Sequence, residues 1–279
     1  MAKMNLMGRR RQTVIKYKRR TWLSDMGVVY PEREFGIQPF FIQLQIGYGL
    51  IPLVDKEKGG VLLKVVSIIK NMIDAHYGIQ IPMIRIRDNL SLEPYDYSIS
   101  LYGTEAGSGS VRLGYVLLLP TEKATIPFIE IKGDRIKEPV YGNDAIWVSE
   151  DHISEYKEAG YKSVNPENII GQHLQKIILE NRLKIFDQSM VNTLINKVRP
   201  TNPDVIDDIF FYHQFTTSSM KKILNCLLEE NYSIRDMNTI LEVIADNIDQ
   251  SQEPEFLAAK VKEHLPVAIE IEEGKWYGC

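Results

Sequence analysis

A glycine-interrupted apolar run constrains the fold of this chain more than any other feature. The run reads Ile46-Gly47-Tyr48-Gly49-Leu50-Ile51-Pro52-Leu53-Val54-Asp55, and it follows a segment in which Gln43 and Gln45 alternate with apolar neighbours. Alternation with a period of two predicts a β-strand with one buried face. The glycines then end the strand, so the sequence predicts a turn that leads from a first strand towards a helix.

A helix and a second strand are predicted after this turn. Residues 55–60 have the composition of a loop, and a stripe of apolar residues at helical spacing follows between Val61 and Ile73. Gly78 stands where a glycine that ends a helix belongs, and the segment Ile79–Arg87 alternates again. Together these segments predict a compact strand–helix–strand unit.

Three further extended stretches are predicted before residue 147, at residues 97–102, 111–119 and 125–132. The sequences Glu93-Pro94 and Gly107-Ser108-Gly109 are typical of the turns that separate strands. We therefore expect a small β-rich insertion in this part of the chain.

The second half of the chain is predicted to be helical. Asn165 and Pro166 are typical of the first residues of a helix, and Ser233-Ile234-Arg235-Asp236 has the pattern of a capping box before an apolar stripe. Pro254 begins a last helix, which Pro266 stops. The segment 267–271 is then a single strand candidate without a predicted partner. The predicted fold class is α+β, with several small subdomains.

Charge is distributed unevenly along the chain. Residues 1–20 hold eight Lys or Arg and no acid, so with a net charge of −4 the remainder carries −12. Such a leader is consistent with a solvated tail, with a contact to an anionic membrane surface or nucleic acid, or with the flank of a membrane span. Nucleic-acid binding is disfavoured because the acidic body repels phosphate. No segment has the apolar length that a membrane span needs.

No catalytic or cofactor motif stands out. A dinucleotide fingerprint would need a third glycine at the position of Pro52, and the five histidines are scattered without the spacing that pairs metal ligands on a helix. The two cysteines, Cys226 and Cys279, are not in a CxxC pair. We therefore expect no catalytic residues, no cofactor and no metal, and a protein that is not an enzyme but a binding surface for other proteins.

Several motifs together resemble the cytoplasmic part of the type III secretion export-gate family, which includes flagellar FlhA and injectisome SctV. They span residues 47–55, the pair Gly59-Gly60, Arg85–Leu90 and Ser233–Glu242. Ala145-Ile146-Trp147-Val148 and the segment 160–174 match in order and spacing. The resemblance covers roughly residues 37–265.

The resemblance implies a division into subdomains. Residues 1–36 would form a basic leader or linker, residues 37–103 with 166–185 a first α+β subdomain, and residues 104–165 an inserted β-rich second subdomain. A helical third subdomain would cover residues 186–265, and residues 266–279 would be a stub or tail. The membrane region and most of a fourth cytoplasmic subdomain of the family have no counterpart in this chain.

The resemblance also implies a groove for export chaperones. Flagellar members carry a segment Asp-Pro-x-Phe-Gly there, and this chain has Glu138-Pro139-Val140-Tyr141-Gly142 instead. Gln172 replaces a threonine of the flagellar pattern. The implied groove residues are Glu138, Tyr141, Val164, Ile169 and Gln172, with Glu138 as part of a charged rim around an apolar pocket.

The expected function is therefore that of a non-enzymatic component of a flagellar or type III protein export gate. It would dock chaperone–cargo complexes, contact other secretion components and join a ring, which has nine subunits in the family. We expect it at the cytoplasmic face of the bacterial inner membrane, where residues 1–20 would contact the membrane surface. The alternative is a structural ring component or a soluble truncated relative that assembles or regulates without binding cargo.

Overall fold

The computed structural model describes residues 42–269, so the predicted basic leader lies outside the described residues. The first part of the fold is a sheet of four strands in the order β2-β1-β3-β4. Its strands are β1 Ile42–Ile46, β2 Ile84–Asp88, β3 Asp96–Leu101 and β4 Thr104–Ser110. Strand β1 is parallel to β2 and antiparallel to β3. The first helix, α1 Val61–Tyr77, connects β1 to β2.

The run that follows β1 forms a short 3-10 helix, Tyr48–Leu53, with Gly47 as its N-cap. Gly47 donates its amide to Asp96 O at 2.8 Å, and Gly49 donates to Pro94 O at 2.8 Å. A Cβ at Gly47 would lie 2.6 Å from Pro94 O and would also clash with Glu93 O. The glycines therefore let the chain pass directly against the segment that leads into β3.

A second sheet has the strand order β6-β7-β5-β8. Its strands are β5 Tyr115–Leu119, β6 Asp134–Lys137, β7 Asp144–Ser149 and β8 Lys162–Val164. Two 3-10 turns, Phe128–Glu130 and Glu150–His152, and the short helix α2 Ile153–Glu158 accompany it. Val116, Leu118, Ile146 and Val148 form the centre of its own apolar core.

Helices make up the remainder of the described chain. They are α3 Pro166–Glu180, α4 Arg182–Ile185, α5 Gln188–Val198, α6 Pro203–Asp207, α7 Thr217–Glu229, α8 Met237–Asn247 and α9 Pro254–Lys262, with a π-helical turn at Asp208–Tyr212. Helix α3 packs against α1, and α9 packs against both α7 and α8. This mixture of two small sheets and packed helices confirms the predicted α+β class.

The structure corrects the expected division at residue 104. Strand β4 pairs with β3, so it belongs to the first sheet, and the second sheet begins only after Ser110. The sequence Gly107-Ser108-Gly109 therefore lies in a strand and not in the predicted turn. The glycines are needed in the strand for a steric reason, because other groups pack closely on β4. A Cβ at Gly107 would lie only 2.7 Å from His173 Nε2 and would clash with it.

Two other local predictions are wrong. Residues 125–132 do not form a strand, because Pro127 lies in their centre and a 3-10 turn starts directly after it. The capping residue of α8 is Asp236, whose carboxylate accepts from Thr239 N at 3.2 Å, and not Ser233. The strand candidate 267–271 lies partly outside the described residues, and residues 267–269 are not in a strand.

Substitution of Gly47 by Ala tests the close approach at the end of β1. We expect Gly47→Ala to lower the free energy of unfolding by about 3 kcal/mol, since the backbone around Glu93 and Pro94 must move. Gly59→Ala is the control, because its φ is +94° but nothing lies within 4 Å of the added Cβ. That control should cost only about 1 kcal/mol. Equal shifts of the two urea midpoints would contradict the steric explanation.

Candidate docking site

The segment Glu138–Gly142 forms a tight turn between β6 and β7. Glu138 is 1% exposed, and its carboxylate accepts hydrogen bonds from three backbone amides of its own turn. The donors are Val140 N at 2.6 Å, Tyr141 N at 2.9 Å and Asn143 N at 3.0 Å. The Glu138 amide in turn donates to Asn143 O at 2.9 Å. A buried carboxylate is stable only with such partners, so Glu138 fixes the shape of the turn.

Lys176 connects this turn to helix α3. Its ammonium group donates to Val140 O at 2.6 Å and lies 5.1 Å from the centre of the Tyr141 ring. It also lies 3.8 Å from the Glu180 carboxylate, one helical turn further along α3. A cation over an aromatic ring is attracted by the electrons of the ring face. Lys176 therefore holds both the backbone of the turn and the ring of Tyr141.

A tyrosine–histidine pair lies beneath the turn. Tyr97 of β3 and His173 of α3 are both buried, and the Tyr97 hydroxyl lies 2.9 Å from His173 Nδ1. Gly109 permits this arrangement, because a Cβ there would lie 2.7 Å from the Tyr97 hydroxyl and 2.9 Å from Pro139 Cβ. The turn, β3, β4 and α3 thus meet at one junction between the two sheets.

Burial sets the protonation of this pair. Desolvation lowers the pKa of His173 to about 4, with a further lowering by the Lys176 charge and a small opposing effect of Glu138. Burial, and secondarily the Glu138 charge, raises the pKa of Tyr97 well above its ordinary value. The neutral imidazole can accept a hydrogen bond from the Tyr97 hydroxyl at Nδ1 when Nε2 carries the ring hydrogen. Both side chains are therefore neutral near pH 7.

The structure separates the five predicted groove residues into two groups. Tyr141 alone is half-buried and reaches the surface. The other four are buried, with exposures of 1% for Glu138, 0% for Val164, 0% for Ile169 and 5% for Gln172. The expectation that Glu138 belongs to an exposed charged rim is wrong for this conformation, because its carboxylate is turned inward to cap its own turn.

Three residues of the junction are absent from the predicted set: Lys176, Tyr97 and His173. The signal for Lys176 is present in the sequence, since Gln172 and Lys176 stand four positions apart and share a helix face. Tyr97 and His173 have no such signal, because 76 positions separate them and only the fold brings them together.

The junction presents few groups at its surface. Residues 42–269 contain no group of three or more His, Cys, Asp or Glu that could hold a metal ion. The surface of the junction instead offers a half-buried aromatic ring and a partly exposed ammonium group on a rigid turn, a combination that suits contact with another protein. Within the same range, no helix is long and apolar enough to cross a membrane.

The fold matches solved cytoplasmic domains of type III secretion proteins. The Chlamydia pneumoniae CdsV protein superposes with a TM-score of 0.72 at 21% identity, covering 82% of this chain and 67% of that one. Nonameric SctV-C from EPEC superposes with a TM-score of 0.61 at 16% identity, covering 82% and 66%. These similarities establish the architecture of the described part of the chain.

The chain belongs to the FHIPEP family, whose model matches residues 12–273. It is 34% identical over 249 residues to flagellar biosynthesis protein FlhA of Treponema pallidum (strain Nichols), covering 89% of this chain and 32% of that protein. FlhA of Escherichia coli (strain K12) is 31% identical over 228 residues, with 81% and 32% covered. The chain spans about a third of the length of these relatives. This family is the one that the sequence motifs resemble, with flagellar FlhA and injectisome SctV among its members.

Replacement of Glu138 by Gln tests whether its carboxylate stabilises the turn. The amide keeps one acceptor oxygen but places an NH2 group against backbone donors, so we expect Glu138→Gln to cost about 1–3 kcal/mol of stability. The exposed Glu130 provides the control Glu130→Gln, which should change the unfolding free energy by less than about 0.5 kcal/mol. Chemical denaturation of both variants would measure the difference. If Glu138→Gln left the free energy of unfolding unchanged, the carboxylate would not be what holds the turn.

The low pKa of His173 predicts a loss of stability in acid. The unfolded chain, with a histidine pKa of 6.5, takes up the proton before the folded chain does. The stabilising contribution of the neutral ring is therefore complete above pH 6.5 and is lost as the pH falls towards 4, by up to about 2 kcal/mol. Urea unfolding at several pH values gives the free energy of unfolding as a function of pH. This free energy should change less with pH in His173→Gln than in the unaltered chain, and His76→Gln is the control for loss of a histidine. An unchanged slope would contradict the prediction.

Proposed function

We propose that this chain is a non-enzymatic docking part of a flagellar or type III export gate and receives export chaperone–cargo complexes at the surface around Tyr141. The observation that carries the proposal is the Tyr141 ring, which is half-buried, lies beside the Lys176 ammonium and sits on a turn fixed by Glu138. Membership of the export-gate family supports the setting of this site. A rigid aromatic anchor with a polar neighbour is the kind of group that dominates protein interfaces.

The buried members of the predicted groove contribute from beneath. Val164, at the end of β8, and Ile169, on α3, are fully buried, and Gln172 lies on α3 one turn before Lys176. Their roles in docking would be to fix the height and orientation of Tyr141, because their side chains do not reach a partner in this conformation. The proposed site is thus smaller at the surface than the sequence pattern implies.

The location and assembly of the chain are part of the same proposal. An export-gate component would act at the cytoplasmic face of the bacterial inner membrane, and the eight basic residues of the leader would favour its anionic surface. Contact with other parts of the secretion apparatus is supported by a solved structure. A chain with the same fold as this protein occurs in the complex of Chlamydia pneumoniae CdsV and CdsO.

Truncation of Tyr141 tests the docking site. We expect Tyr141→Ala to weaken binding of the cognate export chaperone–cargo complex by about 1–3 kcal/mol, because it removes the central aromatic contact, while the protein stays folded. Isothermal titration calorimetry measures the affinity, and circular dichroism checks folding. Tyr212→Ala, which removes an aromatic side chain that is 72% exposed in the helical part, is the matched control. Unchanged affinity in folded Tyr141→Ala would exclude this site.

A second candidate function is that of a structural ring component that binds no cargo. It is favoured by the exposed pair Phe211 and Tyr212, which are 69% and 72% exposed with ring centres 5.2 Å apart, and by the nonameric state of a structure with the same fold. Native mass spectrometry discriminates the two. A monomer that captures the chaperone complex supports docking, whereas rings that form without a chaperone and bind no cargo support the structural role.

A further inference from the structure

The loop that connects α7 to α8 joins the helical part, α5–α9, to the end of α1. It contains Ser233-Ile234-Arg235-Asp236, a motif that the proposed docking site does not use. Ile234 is fully buried and donates its amide to Tyr77 O at 2.9 Å. The Arg235 guanidinium donates to Ala75 O at 3.4 Å. Ala75 and Tyr77 belong to the last turn of α1, so the loop supplies donors to carbonyls that a helix end leaves without intrahelical partners.

Gly78 allows this contact between two backbones. Its φ is +77°, a left-handed conformation that glycine adopts without strain. A Cβ at this position would lie 2.7 Å from the Arg235 amide nitrogen and 3.0 Å from the carbonyl carbon of Ile234. The end of α1 and the α7–α8 loop therefore lie directly against each other.

Arg182 holds the beginning of the same loop. It is the first residue of α4, directly after the end of α3, and its guanidinium donates four hydrogen bonds to groups at helix ends. The acceptors are Leu179 O of α3 at 2.8 Å, Leu228 O and Glu229 O of α7 at 2.9 and 3.2 Å, and Asn231 Oδ1 at 2.9 Å. A cation is favoured at the carbonyl end of a helix, and the planar guanidinium presents five donors in a fixed geometry. One side chain therefore joins the end of α3 to the end of α7.

Asn231 sets the direction in which the loop leaves α7. Its φ is +63°, a left-handed conformation that asparagine tolerates better than most residues. Its amide donates to Leu228 O at 3.1 Å, and the Tyr232 amide donates to Leu227 O at 2.8 Å. Because Arg182 binds the Asn231 side chain, it fixes this turn three residues before the loop reaches α1.

We propose that Arg182 and the α7–α8 loop form a latch that holds the helical part in one orientation on the first sheet with its helices α1 and α3. Arg182 is the positioning residue of the latch, because the loop contacts α1 correctly only when its start is fixed. Without the four bonds of Arg182, the loop detaches from α1 while the sheet and the helical part each stay folded. Since α3 also carries Lys176, the latch sets the docking turn relative to the exposed Phe211 and Tyr212, a consequence that rests on the proposed function.

Hydrogen exchange of single amides in the full chain tests the latch. The Ile234 amide reports on the contact with α1, whereas the Leu224 and Ile99 amides report on α7 and on the first sheet. We expect Arg182→Ala to speed exchange of the Ile234 amide at least about tenfold relative to the other two. Equal acceleration of all three amides would indicate a general loss of stability and would overturn the latch. No partner is added, so failure of the latch is distinguishable from failure of the docking site.

Two further variants make the result specific. Arg182→Lys keeps the charge but not the planar group, so it should speed Ile234 exchange by a smaller factor, and it decides the question if Arg182→Ala does not fold. Arg199→Ala is the matched control, because it removes an arginine of the helical part that pairs with Asp207 at 3.2 Å. The control should leave Ile234 exchange unchanged relative to the other amides. Unchanged Ile234 exchange in both Arg182 variants, or selective acceleration in the control, would overturn the assignment.

A distance measurement by electron spin resonance tests the orientation itself. Ser67 of α1 and Lys222 of α7 are exposed, so Ser67→Cys and Lys222→Cys can carry spin labels in a chain that also has Cys226→Ser and Cys279→Ser. We expect one narrow distribution of label distances with Arg182 present and a distribution at least about twice as broad in Arg182→Ala. Equal widths would overturn the role of the latch in fixing the orientation.

Discussion

Close packing around helix α3 is the constraint on which the rest of the structure depends. Ten of its residues, from Pro166 to Ile178, are buried, so the helix is covered on most of its surface. A Cβ at Gly171 would lie 3.0 Å from Ile69 of α1 and would clash with Val65, while His173 packs on β4 at Gly107. Because one helix contacts α1, both sheets and α4, a shift of α3 would displace every neighbour at once.

The candidate docking site inherits its rigidity from this packing. Lys176 extends from α3 to the turn of Glu138, and the neutral pair of Tyr97 and His173 fills the space below it. A buried polar network of this kind is stabilising only when its members have partners, and the described hydrogen bonds supply them for Glu138, Tyr97 and His173. Binding a partner at Tyr141 would then require little reordering of the protein, which favours affinity.

Strand β2 gives the first sheet a second kind of surface, because within residues 42–269 it pairs with β1 alone. The junction near Tyr141 presents side chains on a turn, whereas β2 presents backbone groups in a row beside Arg85 and Arg87. The two surfaces belong to different ends of the strand order, since β2 is one edge and β4, which carries the glycines of the junction, is the other.

The sequence alone determined the α+β class, the glycine turn after β1, the helix ended by Gly78 and the family, because these depend on local periodicity, turn chemistry and residue order. It also predicts a docking role for the segment around Tyr141. Only the tertiary structure decided that Glu138 is buried as a clamp and that the strand with Gly107 joins the first sheet. It also brought Tyr97 to His173 and Lys176 to Val140. These are contacts between residues far apart in the chain, and local patterns carry no information about which distant groups a close-packed interior places together.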